Sequence, residues 1–205
     1  GALFAKDSTN LFDFPKLQAI VNINKQHLNF VKKKTIQEII RQKVGFLSNY
    51  TDIYVGKQKP ENNKIIKNII KKNKSNKFYY PRWKLIKRNK KYLYKDNLQT
   101  INLKNKFINS DGLYQNLCMA IKIALDLGIS KKKIESAVPK IRVTGRLEYI
   151  TKGGIAKKLF KNEKLLIDGC HSAVSAENFA NYLKSLKAPK VGIFGMLKNK
   201  NPEEF

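Results

Sequence analysis

At 205 residues and 42% hydrophobic content, the chain can bury a core as one large domain or two small ones. Its two cysteines, Cys118 and Cys170, exclude a disulfide framework, and no run is apolar enough to span a membrane or serve as a secretory leader, so a reduced, cytoplasmic protein is expected. The charge is lopsided, with 42 Lys+Arg against 15 Asp+Glu and a net +27, which by itself points to a polyanionic partner.

In chain order, Leu17 to Ile23 is a near-continuous apolar run suited to a buried strand, and His27 follows it. Thr35-Ile36-Gln37-Glu38 has the form of a capping box that opens a helix. On that helix Ile36, Ile39, Ile40 and Lys43 fall at i, i+3, i+4 and i+7, which puts Lys43 on the apolar stripe. Gly45 ends it. Ile53 to Val55 reads as a strand, and Ile65, Ile66, Ile69 and Ile70 as a further helix. Between Phe78 and Leu103, short alternating segments separated by lysine-rich turns read as antiparallel strands or a meander.

Helical spacing returns from Tyr114 to Leu127, with Leu117, Ala120, Ile121 and Ala124 on one face and Gly128 closing it. Ser130 caps a short helix that Pro139 breaks. A second α/β unit then runs to the end of the chain. Its apolar run Leu165 to Ile167 stops on Asp168-Gly169-Cys170-His171, a helical pattern follows at Phe179, Tyr182, Leu183 and Leu186, and Val191 to Phe194 reads as the next strand.

Strand, tight turn and helix in that order matter because ligands collect at the carboxyl ends of strands in open α/β sheets. Asp168 could hold a ribose hydroxyl or a metal-bound water there, although Asp-Gly is also a common plain turn. Arg146, in Thr144-Gly145-Arg146-Leu147-Glu148, suits either a salt bridge to Glu148 or a phosphate contact. Lys43 either carries its ammonium out to water or is a desolvated lysine open to modification. His27 is either a metal ligand or a turn histidine. No P-loop, zinc spacing, nucleophile elbow or G-x-G-x-x-G occurs.

Seven short segments in register resemble one family across nearly the whole chain. Asp7-Ser8-Thr9-Asn10, His27 and Gln42-Lys43-Val44-Gly45 resemble the D-A-T-N, D-H and E-K-A-G of the folylpolyglutamate synthase/dihydrofolate synthase branch of the Mur ligases. Tyr114-Gln115 resembles its H-Q, Thr144 to Glu148 its P-G-R-L-E, Asp168 to His171 its D-G-A-H-N, and Asn199-Lys200-Asn201 its D-K-D. The chain departs from that pattern at Gln26, Cys118, Thr144, Ser172, Asn199 and Asn201, several of which replace a carboxylate or an amide.

The resemblance implies an α/β fold: residues 1–139 as part of a Mur-ligase-type central ATP-binding domain, and residues 140–205 as the start of a Rossmann-like C-terminal domain. It implies an ATP-dependent ligase of folate biosynthesis and one-carbon metabolism that uses ATP and Mg2+. ATP phosphorylates a carboxylate of dihydropteroate or tetrahydrofolate, and the amine of L-glutamate attacks the acyl phosphate. By resemblance His27 binds Mg2+, Lys43 is carbamylated and His171 belongs to the catalytic centre. Arg146, Asp168, Cys118 and Lys200 face the nucleotide, and Lys6, Asp7 and Ser8 line the pteroate site. A monomer is expected, bound to neither nucleic acid nor membrane. Without a phosphate loop the 205 residues are expected to be an inactive fragment.

Three other readings make different predictions. A peptidoglycan Mur ligase would answer to a UDP-sugar rather than a pteroate, and a decayed homologue would lack turnover. A lysine-rich nucleic-acid binder would show salt-sensitive binding to unrelated DNA or RNA. Arginine, the residue that pairs bidentately with phosphate and guanine, occurs only at 41, 82, 88, 142 and 146, which weakens that last reading.

Overall fold

A computed structural model describes residues 12, 15–25, 31–45, 51–72, 77–79, 82–89 and 91–196. Its first part is a βαβαβ run: β1 (Leu17–Ile20), α1 (Ile36–Val44), β2 (Asp52–Val55), α2 (Pro60–Lys72) and β3 (Lys77–Tyr79). The three strands lie in the order β1-β2-β3, all parallel. Parallel neighbours need a crossover, and the two helices supply it. Thr35 caps α1 by accepting the amide of Glu38 at 3.2 Å, as the capping signal implies.

Alternation along β2 divides its side chains between two cores. Ile53 and Val55 join Ile39, Ile40 and Val44 of α1 and Ile66 and Ile70 of α2. Tyr54 instead joins the second core, around Trp83, Tyr94, Ile101, Leu117 and Cys118.

That second core lies between an antiparallel sheet and a helix. β4 (Lys84–Arg88), β5 (Lys91–Lys95) and β6 (Thr100–Asn102) form a meander, and α3 (Asp111–Asp126) supplies Tyr114, Leu117, Cys118 and Ile121. A Schellman motif closes α3: Ile129 N–H donates to Ala124 and Gly128 N–H to Leu125, with Gly128 at φ +86°. Polar groups tie these layers together. Tyr54 donates to Asp126 Oδ2 at 3.0 Å, Lys122 pairs with Asp126 at 2.7 Å, and Tyr94 donates to Asp96 at 2.6 Å.

α4 (Lys131–Ala137) follows, and a single 3-10 turn continues it through Val138–Lys140. The α-helix ends just before Pro139, as the sequence implies, and within the 3-10 turn the missing N–H of Pro139 costs nothing. Beyond lie β7 (Glu148–Ile150), β8 (Leu165–Ile167) and α5 (Ala173–Ser185). β7 and β8 pair antiparallel, with Glu148 opposite Ile167, and Tyr182 of α5 donates to the Tyr149 hydroxyl at 3.0 Å.

The α/β class is as expected, with three corrections in detail. The first strand ends at Ile20 rather than Ile23. The first piece of the expected meander, β3, joins the parallel sheet instead. Val191 to Phe194 forms no strand among the described residues: Val191 is 98% exposed and Ile193 101%. No helix among the described residues is long and apolar enough to cross a membrane.

Candidate functional site

The turn 144–147 folds against the end of β8. Gly169 N–H donates to the Gly145 carbonyl at 2.8 Å, and Gly145 N–H to Glu148 Oε2 at 2.7 Å. Asp168 Oδ2 accepts the Leu147 amide at 2.8 Å, and Arg146 Nη1 donates to the Gly169 carbonyl at 2.8 Å. The turn takes a left-handed backbone at Gly145 (φ +67°) and at Leu147 (φ +46°). Glycine takes that region freely. Leucine does so at a cost, and strain of this kind persists where the surroundings over-determine it.

Just past the turn, Ser172 caps α5 by accepting the Ser175 amide, and Ser175 Oγ in turn takes the N–H groups of His171 and Ser172. The His171 ring lies with Nδ1 3.0 Å from the Gly169 carbonyl. Burial and a bond to the Asp168 carboxylate push the Cys170 thiol up to about 11, so this sulfur is a neutral neighbour rather than a nucleophile. Arg146, Asp168 and His171 thus share one small surface at a strand end and a helix start. A guanidinium has five N–H donors, and the bond to Gly169 uses one. The arrangement suits an anion with a sugar attached, such as a nucleotide.

The other expected site residues are not gathered there. Lys43 lies half-buried in the last turn of α1, between the buried Ile40 and Val44, and burial pulls its ammonium below the ordinary lysine range. Beside it, Gln42 Oε1 is buried and has no hydrogen-bond partner among the described residues. Cys118 is 0% exposed in the second core, and burial pushes its thiol up to about 12. It has no surface to offer an adenine. Lys6, Asp7, Ser8, His27 and Lys200 lie outside the described residues.

An oxygen donor such as Gln42 Oε1 is the kind of ligand magnesium takes. The number is wanting: no three His, Cys, Asp or Glu come together among the described residues. These residues do not by themselves make a magnesium site. A cavity of about 430 Å3 beside the small sheet, lined among others by Tyr149, Phe160, Glu163 and Leu165, includes none of Arg146, Asp168 and His171.

No protein-family model matches the sequence, and no curated protein is significantly similar to it. Solved structures do match. A mutant of the L. casei enzyme FPGS superposes with a TM-score of 0.71 at 19% identity, over 92% of this chain and 47% of that one. The fold is that of the folylpolyglutamate synthases. A Thermotoga maritima folylpolyglutamate synthase matches with a TM-score of 0.64 at 20% identity, over 83% of this chain and 38% of its own. A complex of FPGS with AMPPCP and folate gives 0.67 at 18%, over 89% and 45%. The chain therefore spans about half the length of the folylpolyglutamate synthase structures it matches.

Within this folylpolyglutamate synthase fold, motif reading missed two residues that shape the turn. In the sequence Leu147 stands out only within the Thr144 to Glu148 segment, and Asn109 belongs to no motif. Asn109 Nδ2 donates to the Leu147 carbonyl at 2.9 Å across 38 positions of sequence. The only local signal was its position beside Ser110, which caps α3.

Proposed function

We propose that the protein is an ATP-dependent ligase that attaches L-glutamate to dihydropteroate or tetrahydrofolate, and that the turn Thr144 to Leu147 with Asp168 and His171 is part of its nucleotide site. The observation that carries the reading is the match to folylpolyglutamate synthase structures over 92% of the chain. It is supported by the gathering of Arg146, Asp168 and His171, three residues of two separate motifs, at one strand end.

In this reading residues 1–139 form part of a central domain and residues 140–205 the start of a second. Arg146 meets a phosphate through the N–H groups not turned toward Gly169. Asp168 keeps the turn closed through the Leu147 amide, with its second oxygen toward the ribose. The carboxylate of the pteroate or folate takes a phosphoryl group from ATP, and the amine of glutamate displaces phosphate to form the amide. Charge screening dominates such a step. In the resemblance that screening involves magnesium, held by His27 and a carbamylated Lys43. Lys43 is suited to carbamylation because its neutral amine, the form that adds CO2, is favoured by burial. Lys200 joins the nucleotide contacts, and Lys6, Asp7 and Ser8 the pteroate site. Cys118 is left out of the proposed site because it is buried.

The test is an assay of the complete gene product for ATP-dependent attachment of glutamate to dihydropteroate and to tetrahydrofolate, with a UDP-sugar Mur substrate in parallel. Glutamate incorporation with either pteridine supports the reading. Turnover only with the UDP-sugar, or with none of the three, contradicts it.

A further inference from the structure

Leu147 is held at every group it has. Its N–H goes to Asp168 Oδ2 at 2.8 Å, its carbonyl accepts from Asn109 Nδ2 at 2.9 Å, and its side chain is 4% exposed. It nevertheless sits at φ +46°, a region a leucine leaves unless restrained. Arg146 immediately precedes it, so the bond from the Leu147 N–H to Asp168 fixes the peptide unit that joins the two residues. Asn109 is itself well anchored, between the buried Ile108 and Ser110, whose hydroxyl accepts the Leu113 amide to cap α3.

Nearby bonds run the same way. Asn105 Nδ2 donates to the carbonyls of Val138 and Ile141 at 2.6 and 2.9 Å, while its Oδ1 takes the amides of Phe107 and Ile108. The Arg142 guanidinium packs 4.1 Å from the centre of the Phe107 ring. The loop before α3 therefore grips the connecting segment at its start through Asn105 and at its far end through Asn109. Asn109 is the bond that reaches the turn itself.

We propose that Asn109 is a positioning residue: by holding the Leu147 carbonyl it keeps the turn left-handed and so presents Arg146 at the end of β8. The proposal deepens the nucleotide reading above and rests on it for what Arg146 then binds. Asn109 touches no ligand. It acts through Leu147.

Two measurements on the 205-residue chain decide it. The first is amide hydrogen exchange in Asn109→Asp, which keeps the shape but removes the donor, and in Asn109→Ala. Exchange at Leu147 should rise about tenfold, the size of one net hydrogen bond, with the amides of α3 unchanged as proof of folding. The second is ATP affinity in Asn109→Asp, Arg146→Ala and the double variant. If Asn109 acts through Arg146, the double variant loses no more than Arg146→Ala alone. Unchanged exchange at Leu147, or losses that add in the double variant, would overturn the proposal. An Arg146→Ala chain that binds ATP as well as the parent contradicts the nucleotide reading instead, while the exchange result still decides whether Asn109 holds the turn.

Discussion

By the resemblance Cys118 stands where the family carries an asparagine, and its burial suits a thiol. Cys118 is fully buried, where a thiol behaves as a small apolar group and an amide must desolvate both its polar atoms. Cys118→Asn should therefore lower stability by about 1–3 kcal/mol in denaturant melts and leave nucleotide affinity no better. A variant of unchanged stability would mean that the side chain has a polar outlet. The same burial sets a pH dependence. The folded thiol is raised from its ordinary 9.0 to about 12, so the unfolded chain gives up this proton first as pH rises. The Cys118 contribution is complete below the ordinary thiol value and fades toward the folded one. Melting temperature should fall on the alkaline side, and Cys118→Ala should flatten that fall. An identical slope in the variant would count against it. Cys170 adds a smaller effect of the same sign.

Among the elements, the β5–β6 turn of the meander is built on a buried carboxylate, Asp96. Burial alone would raise Asp96, but the Tyr94 hydroxyl, the Leu98 and Gln99 amides and the charge of Lys122 outweigh it and hold its carboxyl below the usual range. Asp96→Ala strands the fully buried Tyr94 hydroxyl and opens the β5–β6 turn, at a cost of about 1.5–3 kcal/mol in chemical denaturation. Asp96→Asn keeps one acceptor and should cost less. Because the folded value is lowered, the stabilisation is present above the ordinary carboxylate value and is lost as pH falls toward the folded one. The parent should lose stability on acidification more steeply than Asp96→Ala, and parallel curves would contradict the assignment. Local signals were the legible ones at this scale. Thr35 and Ser130 cap helices where the sequence places caps, because a cap is settled within four residues. Pairing is not local. β3 reads as part of a meander yet adds to the parallel sheet, and Val191 to Phe194 looks like a strand yet forms none among the described residues.

At the scale of the molecule, motif order along the chain carried the fold further than any single motif did, since segments more than 20 positions apart, at Arg146 and Asp168, meet at one turn. What stayed hidden was the support behind them. Asn109 reaches Leu147 over 38 positions and belongs to no motif, and the left-handed leucine has no signature in composition or spacing. The net charge of +27 is carried mostly by exposed lysines. Nucleotide binding at the turn of Arg146 and Asp168 is tested by titrating the chain with AMPPCP and following amide chemical shifts. Saturable shifts are expected at Gly145 to Leu147 and Asp168 to Ser172, and Arg146→Ala should weaken them by about tenfold, as for one lost charge-assisted contact. Shifts confined to other residues, or shifts at the turn that Arg146→Ala leaves intact, would contradict it.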